Sequence, residues 1–91
     1  MTYNSSGLSA IHYANGFTVW HYRTEDPATH VLDRGYFNDA SKMLRPGDFI
    51  YVNGGIGTDD FANGQIAVTR NEGGVVRVAA VSNFVTDRSA L

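Results

Sequence analysis

GYFNDASKMLRPGDFIYV, residues 35–52, carries three local signals in succession. Tyr36, Phe37, Ala40, Met43 and Leu44 recur at i, i+3/i+4 and i+7/i+8, the apolar stripe of a short helix. Pro46 ends that helix, Gly47-Asp48 turns the chain, and FIYV alternates as a strand does. A helix of only about two and a half turns is too short to persist alone, so its stripe needs a sheet to lie on. The stretch therefore predicts a helix over 36–44 that plugs one end of a β-structure, with Pro-Gly-Asp launching the next strand.

The flanking segments supply that sheet. FTVWHYRT (17–24) is aromatic and β-branched, as strands are, with Phe17, Val19, His21 and Arg23 on one face and Thr18, Trp20, Tyr22 and Thr24 on the other. Asn15-Gly16 tolerates positive φ and joins it to LSAIHYA (8–14) as a β-hairpin. EDPATHVLDRG (25–35) reads as a polar connection in which Pro27 forbids a central strand. Beyond the opening stretch, NGGIGTDDFANG (53–64) reads as a glycine-rich loop and QIAVTRNE (65–72) as a half-buried strand. VVRVAAVSNFV (75–85) closes the series. The expected fold class is all-β: a small β-sandwich or barrel of about five strands with one short helix. Residues 1–7 are polar and read as a flexible N-terminal arm, and 8–91 as a single β-rich domain.

Ninety-one residues form one small domain that buries only about 60–65% of its unfolded surface. The chain has no cysteine, so disulfide staples and cysteine metal sites are excluded and stability must come from packing or from other subunits. A net charge of −2, with basic residues scattered singly, gives no footprint for nucleic acid. MTYNSSGLSA lacks the basic start and apolar run of a signal peptide, and no stretch approaches the roughly 20 apolar residues of a membrane helix. The reading is a chain made in the cytosol, with no membrane partner.

His12, His21 and His30 are evenly spaced, but even spacing does not make side chains converge on a metal. DDFANG (59–64) begins like a calcium loop, yet Phe61 stands where an oxygen ligand belongs and Arg70 where the bidentate glutamate belongs. GGIGT lacks the lysine of a phosphate loop, and no glycine-flanked serine elbow is present. The acidic pairs Glu25-Asp26 and Asp59-Asp60 fall in loops, where solvated turn residues are the commoner case than an acid/base pair. No catalytic, cofactor-binding or metal residue is assigned, and no enzyme activity is expected.

The closing strand points to assembly instead. Val76, Val78, Ala80 and Phe84 would line one face and Val75, Ala79, Val81 and Val85 the other, and so short a chain cannot easily cover both. A subunit or shell interface is therefore expected at Val75, Arg77, Ala79 and Val81, with Tyr3 and Asn4 of the arm ordering against a neighbour. Arg77 would sit at the rim or pair with Glu72 or Asp87.

LSAIHYANGFTVWHYRTED (8–26) followed by GYFNDASKMLRPGDFIYVN (35–53) resembles small virion structural proteins of tailed bacteriophages and phage-like gene transfer agents, of the head-decoration or head-fibre kind. The resemblance covers about half of the chain; the C-terminal third shares only its character. It implies a non-enzymatic phage protein without cofactors that decorates or cements the capsid head, or forms the base of a head fibre. Its partners would be the major capsid protein or other virion proteins, and its location the virion, assembled in the host cytoplasm. A homotrimer is favoured, since icosahedral shells offer three-fold and quasi-three-fold positions. The rival reading is a small β-barrel binding module for a peptide, glycan or nucleic acid, or a tail or fibre component.

Overall fold

Asn15 and Gly16 take φ of 52° and 87° and fold β1 (Leu8–Ala14) back on β2 (Phe17–Arg23) as the expected hairpin. This computed structural model describes residues 3–84. β3 (Phe49–Gly54) lies parallel to β2, with Val19 opposite Phe49 and Arg23 opposite Asn53. Parallel neighbours need a long crossover, and residues 24–48 supply it. β4 (Ala62–Glu72) runs antiparallel to β3, and β5 (Val75–Ala80) returns antiparallel to β4. The result is a single five-stranded mixed sheet in the order β1-β2-β3-β4-β5. Among the described residues the fold is all-β with five strands, as the sequence predicts, and carries one short α-helix.

The second layer is the crossover rather than another sheet. Its only α-helix, α1, spans Ala28–Val31 directly after Pro27, and Val31 is fully buried. The stretch expected to be helical over 36–44 is a run of turns around a 3-10 turn at Asn38–Ala40. Ala40 N–H donates to the Phe37 carbonyl, while Met43 and Leu44 N–H both donate to that of Ala40. These short-range bonds keep Phe37, Ala40 and Leu44 on the sheet side, as a helix would. They rotate Met43 out to 45% exposure.

Under this cover lies the core: Tyr22 from β2, Ile50 and Val52 from β3, Ile66 and Val68 from β4, and Val76 from β5, closed by Val31, Phe37, Ala40 and Leu44. The N-terminal segment joins it. Tyr3 stacks on Tyr22 with ring centroids 5.6 Å apart and meets Phe37 edge-on, and Ser5–Gly7 form a 3-10 turn capped by Asn4. Met1 and Thr2 lie outside the described residues.

Two glycines read as loop belong to strands. A Cβ on Gly54 would lie 3.0 Å from the Ala28 nitrogen, and one on Gly64 would lie 2.9 Å from the Phe84 ring. Each bare Cα admits a neighbour that any other residue would push away. β5 is correspondingly shorter than expected. It ends at Ala80, Val81 and Ser82 N–H both turn to the Gln65 carbonyl, and Phe84 folds back over Gly64. Val85 lies outside the described residues.

Candidate interaction face

Residues paired across a ladder share a face, and successive residues alternate between faces. With Tyr22, Ile50 and Ile66 in the core, the intervening residues must point outward. Register then places Val19, Phe49, Ala67 and Ala79 in one row across four strands. Phe17 stands beside the row, its ring edge-on to Phe49 at 6.4 Å. The next row carries Ser9, His21, Tyr51 and Gln65, and the row beyond it Arg23, Asn53 and Asn63. The first of these rows is apolar apart from His12, which stands opposite Val19 on β1, and the other two are polar: hydroxyl, imidazole, phenol and amide, with the Arg23 guanidinium at one end.

The polar half has internal order. Asn53 Nδ2 lies 2.8 Å from His21 Nε2. This contact orients the amide and the imidazole against each other. Tyr51 is 47% exposed at the middle of a central strand. Gln65 is held by its main chain: its N–H donates to Ser82 Oγ at 3.0 Å, and its carbonyl accepts from Val81 and Ser82.

The residues singled out from the sequence do not gather at one place. Arg77, Ala79 and Val81 are exposed and Val75 is half-buried along the β5 edge of the sheet. Arg77 stands opposite Arg70 in register, and Glu72 faces Arg70 at 3.9 Å rather than Arg77. Asp87 lies outside the described residues. Tyr3 packs inward, while Asn4 is exposed and donates its backbone N–H to Tyr22 Oη. The histidines fall on β1, β2 and α1, and no group of three potential metal ligands occurs among the described residues. The Asn53–Asn63–Gln65 set was missed, because Asn53 and Asn63 read as loop. The period-two alternation of NGQIAV, continued back to Asn63, is the signal that finds them.

A second polar group sits inside the crossover. Asn4 N–H donates to Tyr22 Oη, whose proton goes to Tyr36 Oη at 2.8 Å, and Tyr36 O–H donates to Asp26 Oδ2 at 2.7 Å. Burial, helped by these bonds, raises the Tyr36 phenol well above its ordinary value. Such a phenol is a poor acid and keeps its proton; its work here is to fasten the crossover to β2. The unfolded phenol ionises near pH 10 while the folded one keeps its proton. The stabilisation is therefore complete below about pH 10 and is lost as pH rises toward the folded value. Denaturant midpoints measured from about pH 8 to 11 should fall with pH, and Tyr36→Phe should flatten that fall. Equal slopes in the two proteins would show that Tyr36 is not a linked group. The slope need not vanish, because desolvation raises Tyr3 as well.

No known protein family, curated protein or solved structure matches this chain.

Proposed function

We propose that the chain is a non-enzymatic virion structural protein of the head-decoration or head-fibre kind, docking through the apolar half of its outer face. The observation that carries this reading is the row Val19, Phe49, Ala67 and Ala79 with Phe17, on the side of the sheet turned away from the packed core, where Ala79 is exposed and the others are half-buried. A row of this kind marks an interaction surface. A shell that covers it stabilises the subunit by mass action. β5 supports the same reading, since an edge strand presents unpaired backbone groups that closed symmetry can satisfy. Self-association as a trimer, with Val75, Arg77, Ala79 and Val81 at the contact, belongs to this proposal. So do the major capsid protein as partner and the virion as location.

Protein analysis of purified particles tests it, with tens to hundreds of copies per particle expected. Ala67→Glu with Ala79→Glu places two charges in the apolar row and should cut occupancy by about tenfold or more, the effect of losing roughly 1.4 kcal/mol per contact. Circular dichroism of the variant should remain that of the parent. Particles lacking the protein, or full occupancy by a folded double variant, would overturn the proposal.

A further inference from the structure

The polar half of the outer face is not needed for docking through the apolar row, and its chemistry is different. We infer that Tyr51, Asn53, Asn63 and Gln65 form a binding site for a neutral pyranose sugar. These four side chains and Ser82 line a shallow depression of about 370 Å³. The inference goes beyond the virion reading and does not depend on it.

A pyranose has an apolar face of C–H groups and a rim of hydroxyls, each both donor and acceptor. A site for it needs a flat apolar plate bordered by groups that donate and accept at once. Tyr51 supplies the plate, half-exposed on a central strand. The amides of Asn63 and Gln65 supply paired donors and acceptors. Neither side chain bonds to another residue of the described structure. Asn53 is oriented by His21, and Gln65 stands on a backbone held from both sides by Ser82. Asn53, whose side chain is fixed before binding, loses little freedom on binding.

The charge pattern selects the class of ligand. Ser9, His21, Tyr51 and Gln65 carry no lysine, aspartate or glutamate among them, and the adjoining row adds only Arg23, at its end. A nucleic acid stacking on Tyr51 would need a basic track for its phosphates. An extended peptide would seek a free strand edge, and Tyr51 lies on a strand paired on both sides.

The test is an amide-resolved NMR titration of the full chain with methyl glycosides of glucose, galactose, mannose and N-acetylglucosamine. At least one should shift the signals of Tyr51, Asn53, Asn63 and Gln65, with a Kd on the order of 1 mM. Tyr51→Phe keeps the plate and should bind like the parent. Tyr51→Ala should weaken binding by about tenfold or more, and its otherwise unchanged spectrum will certify the fold. No shift with any of the four sugars would overturn the inference. So would shifts confined to Phe49 and Ala67, or binding indifferent to Tyr51→Ala. Particle occupancy reports separately on the virion reading, and Tyr51→Ala should leave it unchanged.

Discussion

Asp48→Ala should destabilise the fold by about 3–5 kcal/mol, the cost of leaving several buried hydrogen-bond donors unsatisfied at once. Asp48 is 1% exposed, and both of its carboxylate oxygens are used. Oδ1 accepts the Thr18 N–H at 2.9 Å, and Oδ2 accepts Trp20 Nε1–H at 3.0 Å and the Arg45 N–H at 3.1 Å. Its backbone carbonyl also accepts the Val68 N–H. One residue thus joins the start of β2, the end of the crossover and β4. Truncation leaves three donors facing a methyl group, each costing about 1–3 kcal/mol if water cannot reach it, though such terms do not add. A domain with about 5–15 kcal/mol of total stability would be left close to its threshold.

Asp48→Asn is the sharper variant. An amide offers one carbonyl oxygen where the structure uses two, and it turns an NH2 group toward N–H donors. Its loss should approach that of the alanine variant, and Trp20 fluorescence should report the freed indole in both. Urea denaturation of the two variants checks this. Full stability in the asparagine variant would mean that one of the two oxygens contributes nothing.

From the sequence, Asp48 reads only as the last residue of a Pro-Gly-Asp turn. That much is local, and it holds: Gly47 takes φ of 96°, and Asp48 N–H donates to the Arg45 carbonyl. Thr18 and Trp20 are 30 and 28 positions away, and no spacing rule reaches across a parallel crossover. Asn38 and Asn71 show the same limit. Asn38 caps the Val76 N–H from the crossover, and Asn71 reaches from β4 to the carbonyls of Ser41 and Leu44. Strands and hairpin turns were legible because alternation and the φ preferences of Asn-Gly and Gly-Gly act between neighbours. α1 was not, because one turn buries too few residues to leave a periodic trace. The outer face was half legible. Alternation in β2 sorted Phe17, Val19 and His21 correctly, but the polar rows exist only through the pairing of β3 with β2 and β4.

Leu44→Ala tests the packing of the crossover itself and should cost about 2–5 kcal/mol, the range for a buried leucine. Leu44 is 1% exposed and belongs to the core cluster. The cost of such a truncation depends on how far the surroundings can collapse into the space left. Here they are pinned on two sides. Asn71 Nδ2 donates to the Ser41 carbonyl at 2.6 Å and to the Leu44 carbonyl at 2.7 Å, while Gly47 N–H donates to Val68 and Val68 N–H to Asp48. The backbone around residue 44 cannot follow the missing methyl groups inward, so the cavity persists and the loss should fall in the upper part of the range. Met43→Ala supplies the contrast. A helical stripe over 36–44 puts both residues on the packed face, whereas the tight turns leave Met43 45% exposed. Its truncation should cost no more than about 0.5–1 kcal/mol, as for other partly exposed positions. Equal losses at 43 and 44 would restore the regular helix. A loss below about 0.5 kcal/mol at Leu44 would mean that this segment does not cover the sheet at all.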